Sequence, residues 1–83
     1  MNQQLAPYSE KAQFLKKGLY EHYSGRQYRL VGIARDSETL EEKVVYQALY
    51  GDQDLWVRPL EMFCEMVTIN DRELPRFRTI TPS

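Results

Sequence analysis

The stretch that most constrains this chain runs from Val44 to Phe63: Val-Val-Tyr-Gln-Ala-Leu-Tyr-Gly-Asp-Gln-Asp-Leu-Trp-Val-Arg-Pro-Leu-Glu-Met-Phe. Val44, Tyr46, Ala48 and Tyr50 fall on one side of an extended chain, and Val45, Gln47 and Leu49 on the other. Period two is the signature of a strand. Gly51-Asp52-Gln53-Asp54 supplies turn chemistry, and Leu55–Arg58 returns as a second strand. Pro59 has no N–H, so it ends that strand or sits on a sheet edge. Leu60–Cys64 then suits a single helical turn. A strand, a turn, a strand and a hook within so short a span commit the chain to a small, mainly β fold.

The flanking segments agree. Ser9 is placed to cap a helix over Glu10–Lys17, with Glu10 in its first turn and Lys16 and Lys17 in its last. Gly18 suits its stop. Two turns of helix are not stable alone, so this one is expected to lean on a sheet. Leu19–Tyr23 and Gln27–Ala34 flank Ser24-Gly25-Arg26 as a hairpin, with Gly25 at a positive φ. Gly32 inside the second run marks a bulge or a close backbone approach. Arg35–Glu42 reads as a long polar loop, Glu65–Ile69 as a strand, Asn70-Asp71 as a turn, Arg72–Leu74 as a short return, and Arg76–Ile80 as a last edge segment.

With 83 residues the chain makes one domain, and a domain of this size buries roughly 60–65% of its unfolded surface. Residues 1–8 are expected to be mobile, 9–80 to form the domain, and 81–83 to be a free tail. Few short strands hide their edges best by closing on themselves. The expected architecture is therefore a small SH3-like, partly open antiparallel barrel with a short N-terminal helix. The alternative is an open antiparallel sheet covered by that helix. Leu30, Ile33, Val44, Tyr46, Ala48, Val57, Leu60, Phe63 and Val67 are the expected core.

Several activities find no support. One cysteine allows neither an intrachain disulfide nor a zinc or redox pair. No apolar run approaches a membrane span, and the N-terminus lacks a secretory pattern, so a cytoplasmic location is expected. No phosphate loop, dinucleotide fingerprint or nucleophile elbow is present. No cofactor and no metal site are expected. Net charge is −1, which disfavours general nucleic-acid binding. The charges are uneven, however: residues 11–35 hold Lys11, Lys16, Lys17, Arg26, Arg29 and Arg35 against Glu21 alone.

The phrases Gly18-x-Tyr20-x-His22-Tyr23-x-Gly25, Tyr28, Ser37-Glu38-Thr39, Val45-Tyr46-x-x-Leu49-Tyr50-Gly51, Trp56-Val57-Arg58-Pro59-Leu60-x-Met62-Phe63 and Pro75-Arg76-Phe77 occur in this order. As a set they resemble the small bacterial proteins grouped as domain of unknown function 1653, over about residues 18–78. The resemblance implies a compact β-rich domain and brings no activity with it. Two positions depart from the pattern. Asp36 stands where His is expected before Ser-Glu-Thr, and Asn70-Asp71 replaces an Asp-Gly turn.

The candidate site rests on aromatics and arginine. Trp56 and Arg58 are two apart on a strand and share a face. If Leu55 and Val57 face the core, that pair faces outward, where an indole and a guanidinium suit a flat or anionic group. Otherwise Trp56 plugs the barrel and Arg58 pairs with Glu61 or Glu65. Tyr20, Tyr50, Trp56 and Arg58, with Glu38 on the long loop, are the expected lining of one shallow groove, and His22 is a further ligand contact. Three functions compete. The first is a binding module for a peptide, a protein or a small polar ligand. The second is a nucleic-acid-associated adaptor using the basic residues of 11–35. The third is a small enzyme centred on His22 with Glu21 or Glu38. A lone His without a second catalytic group makes catalysis the weakest of these.

Overall fold

The computed structural model describes residues 5–80. The remaining residues of the two expected mobile ends, 1–4 and 81–83, lie outside the described residues. The fold is mainly β, as the alternation requires. Strands β1 (Gly18–His22), β2 (Gln27–Arg35), β3 (Glu42–Ala48), β4 (Leu55–Pro59) and β7 (Phe77–Thr79) form an antiparallel sheet in the order β4-β3-β2-β1-β7. β5 (Met66–Ile69) and β6 (Arg72–Pro75) form a separate two-stranded ribbon. The five-stranded sheet curls strongly without closing, so β4 and β7 remain its two edges. No helix among the described residues is long and apolar enough to cross a membrane.

Register decides which side chains share the inner face, because directly opposed residues point the same way. Tyr20 opposes Tyr28, Tyr28 opposes Ala48, Leu30 opposes Tyr46, and His22 opposes Phe77. Across the next pair, Val44 opposes Arg58 and Tyr46 opposes Trp56. The register shifts between Leu30 and Gly32, leaving Val31 as the extra residue. Leu30 and Ile33 are an odd number of residues apart, so without this bulge they would face opposite sides. With it, both face inward, and Ile33 opposes Val44. Gly32 thus marks a bulge, as its place in the run suggested.

The core is Ala12, Tyr20, Leu30, Val44, Tyr46, Leu60, Phe63 and Phe77. Helix α2 (Leu60–Phe63) is the expected hook. It lowers Leu60 and Phe63 onto the inner face, where the Phe63 ring stacks on Phe77 at 4.2 Å and 7°. Helix α1 (Glu10–Phe14) is shorter than the expected Glu10–Lys17. Ser9 caps it by accepting from the Ala12 N–H at 3.2 Å. Leu15 is already extended at ψ 120°, and the Tyr20 hydroxyl donates to the carbonyl of Lys16, holding that segment out of the helix. Ahead of α1, the Tyr8 hydroxyl donates to the Ile33 carbonyl at 3.4 Å. Arg35 lies over the Tyr8 ring at 4.4 Å.

The expected core needs two corrections. Val57 is 60% exposed, because it lies on the outer face of an edge strand. Ala12, Tyr20 and Phe77, absent from that set, are all buried. Val67 and Ile33 are half-buried. The turns behave as their residues dictate. Gly25 has φ 101°, and Asn70 and Asp71 have φ 51° and 64°, the two positive values a tight hairpin between twisted strands needs.

Candidate functional site

α2 and Ala12 cover only part of the inner face. Beyond them lies the remainder of that face, the candidate site. Its floor is Tyr28 and Phe77, with the Tyr46 hydroxyl between them, and β4 contributes Trp56 and Arg58 along one side. The Tyr28 ring lies 5.4 Å from Tyr46, 5.5 Å from Phe77 and 5.6 Å from Tyr50, each edge to face. His22 adds an edge contact to Phe77 at 5.0 Å.

The polar tips are arranged by this packing. The Tyr28 and Tyr50 hydroxyls are 2.7 Å apart. Burial, followed by the hydrogen bond to Tyr50, pushes the Tyr28 hydroxyl up to about 12, so it keeps its proton. The Tyr28 hydroxyl and the Arg26 guanidinium lower the pKa of Tyr50. Either hydroxyl can donate in this pair. Arg26 lies 4.5 Å over the Tyr50 ring. On the other side, Arg58 Nε donates to the Tyr46 hydroxyl at 3.2 Å, and its guanidinium lies 5.8 Å from the Phe77 ring centre.

Arg58 forms no salt bridge among the described residues. The acids considered for it are taken: Glu61 pairs with Lys11 at 2.9 Å, and Glu65 with Arg76 at 2.7 Å. Its planar fork is fixed at Nε and lacks a carboxylate partner at its two terminal nitrogens, in a half-buried position. This local excess of positive charge is felt by His22. Burial lowers the His22 pKa, and the Arg58 and Arg76 charges lower it further. Its Nδ1 faces the Ser24 N–H at 3.1 Å and the Ser24 hydroxyl at 2.9 Å. The amide can only donate, so Nδ1 carries the lone pair, and the ring proton sits on Nε2.

The sequence-predicted residues divide three ways. His22, Trp56 and Arg58 share the inner face, and Tyr50 joins them at the β3–β4 turn through Tyr28. Trp56 is 52% exposed and packs on no other ring among the described residues. It is not a plug. The premise that Leu55 and Val57 face the core is reversed, since those two occupy the outer face. Trp56 and Arg58 face inward and are exposed because β4 is an edge. Tyr20 is only 4% exposed, with its ring edge-on to Phe63, so it supports the groove from beneath the hook.

Glu38 stands apart. It belongs to the loop before β3, while Tyr50 follows the end of β3, and seven strand residues separate the two by roughly 20 Å. That loop is held by Asp36, whose Oδ1 accepts from the Glu38 N–H at 2.8 Å and the Thr39 N–H at 3.1 Å. Those two amides depress the Asp36 pKa. Asp36 thus has its own task at the position where the family pattern leads one to expect His. Glu21 faces outward and pairs with Arg78. Neither acid meets His22. Cys64, half-buried beside the hook, has its thiol pKa raised by burial.

Tyr28, Arg26 and Phe77 are site residues that the sequence reasoning did not select. Tyr28 carried a usable signal, being an aromatic on a strand beside the Gly25 hairpin. Phe77 carried little, since its role depends on stacking against Phe63 from a distant part of the chain. Of the basic residues of 11–35, Lys11 is on Glu61, Arg26 over Tyr50, and Arg35 over Tyr8. A cleft of about 280 Å³, which shares His22 with the candidate site, opens between Glu21, His22, Tyr23, Gly25, Leu74, Pro75 and Arg78. Its two charges neutralise each other as the Arg78–Glu21 pair.

Comparison with curated proteins finds no match. Among solved structures, one from Bordetella bronchiseptica described as a protein belonging to DUF1653 superposes with a TM-score of 0.77. It shares 35% identity over 87% of this chain and 99% of that one. The family model described as protein of unknown function (DUF1653) matches residues 18–79, from the first residue of β1 to the last of β7. The chain therefore belongs to the DUF1653 family.

Proposed function

We propose that this domain is a small binding module whose inner-face groove takes a peptide or small molecule carrying an aromatic or carboxylate group. The observation that carries this reading is the state of Arg58. It is oriented by Tyr46, flanked by Phe77, and left without an acid among the described residues. A fixed guanidinium whose fork is unpaired is suited to a bidentate anion. Trp56, Tyr28 and Tyr50 add flat apolar area beside it, and rigid aromatics give contact area at small entropic cost. His22 remains neutral near pH 7, so it offers an Nε2–H donor without further charge.

The test is an NMR titration of the 15N-labelled protein against a mixed panel of short peptides and metabolites. Binding should shift the amides around Tyr28, Tyr50, Trp56 and Arg58. Arg58→Ala should then weaken the ligand by about 2–3 kcal/mol where the charge pair is desolvated, with the spectrum otherwise that of the folded protein. A ligand whose shifts map to the outer face, or whose affinity survives Arg58→Ala, defeats the reading.

A further inference from the structure

From Asp54 to Arg58 the chain is complementary to its own reverse about Trp56. Asp54-Leu55-Trp56-Val57-Arg58 runs acid, apolar, Trp, apolar, base. An antiparallel strand turned about its own middle residue would place each of these groups opposite its complement.

The geometry of the edge allows this pairing. β4 is the last strand of the sheet, and its outer side pairs with nothing among the described residues. The Ala48 N–H donates to the Asp54 carbonyl at 3.0 Å, and the register is unbroken from there to Lys43 and Pro59. In an antiparallel ladder, residues whose backbone groups face the partner alternate with residues whose groups face away. Asp54, Trp56 and Arg58 therefore bond toward β3. Leu55 and Val57 turn their N–H and C=O to the free edge. The nitrogen of Pro59 also lies on the free side, which is why a proline is tolerated there.

We infer that this edge pairs with a second copy of the chain about a two-fold axis at Trp56. Leu55 then lies opposite Val57 of the partner subunit, and Val57 opposite Leu55 of the partner subunit. Each of these pairs exchanges two backbone hydrogen bonds. Trp56 faces Trp56 of the partner subunit at a non-hydrogen-bonded position, where cross-strand side chains come closest. Arg58 faces Asp54 of the partner subunit, and Asp54 faces Arg58 of the partner subunit. Asp54 and Arg58 both point to the inner face, since they oppose Ala48 and Val44 across β3. Neither has a salt-bridge partner within its own chain among the described residues.

Pro59 falls outside the paired segment and ends the ladder. Leu55, Trp56 and Val57, each more than half exposed in the single chain, are covered together. An exposed apolar edge of this kind is otherwise an aggregation hazard, and closed two-fold pairing removes it. This inference does not depend on the groove having a ligand. Arg58 Nε stays on Tyr46 in the dimer, and its fork meets Asp54 of the partner subunit, so a bidentate anion at the candidate site would compete with association rather than be required for it.

Sedimentation equilibrium of the full chain from about 1 µM to about 1 mM, read alongside fluorescence of its single tryptophan, tests the inference. A monomer–dimer equilibrium is expected, with Trp emission shifting to the blue as the dimer forms. Arg58→Asp alone, or Asp54→Arg alone, sets like charges opposite each other twice and should weaken the dimer by about tenfold or more. The combined exchange Asp54→Arg with Arg58→Asp should restore it. Val57→Pro should abolish the dimer and leave the monomer folded, because the Val57 N–H serves only the free edge. Four results would overturn the inference: a monomer throughout the range, a dimer indifferent to Val57→Pro, a charge exchange that fails to restore association, or a monomer whose β4 edge takes up an unrelated peptide strand instead.

Discussion

β3 and β4 are joined by one short turn, pair along their whole length, and place alternate side chains on the same inner face. Their fates differ. Val44, Tyr46 and Ala48 of β3 are all buried, whereas Trp56 of β4, on the same face, is half exposed. β3 has a strand on each side and α2 across its inner face. β4 has a strand on one side only, and the hook that follows it turns away over β3. Alternation in sequence thus assigns a face, but the number of neighbouring elements decides whether that face is dry. The same difference explains why the candidate site lies where it does. A groove that keeps aromatic and cationic groups reachable has to form at the edge of the sheet.

The sharpest way to break this comparison is to remove what covers β3. Phe63→Ala takes away the ring that stacks on Phe77 and touches Tyr20 and Tyr46, and should cost about 3–5 kcal/mol in a denaturant titration. A smaller loss would mean that the two strands differ less than their burial indicates. Next comes the same deletion made in each strand. Val44→Ala, at a site with no exposed surface, should cost about 1.5–2.5 kcal/mol. Val57→Ala should stay within about 0.5 kcal/mol at concentrations where the chain is monomeric. Equal effects would end the distinction between the inner face of the central strand and the outer face of the edge strand.

Tyr46→Phe probes the contact between the two strands. It keeps the buried ring and deletes only the hydroxyl that accepts from Arg58, so about 0.5–1.5 kcal/mol is expected, with increased mobility of the Arg58 Nε–H in NMR. An unchanged Arg58 signal would show that Tyr46 does not hold the fork.

The smallest expected effect concerns pH. The folded His22 has a pKa below its usual 6.5, through burial first and then through Arg58 and Arg76. The unfolded chain therefore takes up this proton before the native one does. Stability should decline as pH falls through about 6.5 toward the native value, and this contribution should then level off. His22→Asn should flatten that part of the curve. A slope that persists in the variant would assign it to another group.

Much of the fold was legible because local chemistry dictates it. The period of Val44–Tyr50, the turn residues at Gly25, Gly51 and Asn70-Asp71, the Ser9 cap and the bulge beside Gly32 each act within a few residues. The candidate site was legible only in part. Trp56 and Arg58 were grouped on one face by spacing, which a strand guarantees. That this face is the inner one was not legible, because Leu55 and Val57 alternate with them just as plausibly as core residues. Glu38 was grouped with Tyr50 on the strength of its loop alone, and loop length does not reveal which end of a strand the loop occupies.

The amino-acid sequence by itself determined the strands, their turns, the hook and the pairwise sharing of faces, because these follow from backbone sterics and from a side-chain period of two. Only the tertiary structure decided that β4 ends the sheet, that Tyr20 lies under the hook while Tyr28 is only half-buried, and that Phe77 returns from the end of the chain to stack on Phe63. Those outcomes depend on register and curl, which are set by the sum of many distant contacts. No short stretch of residues contains that sum.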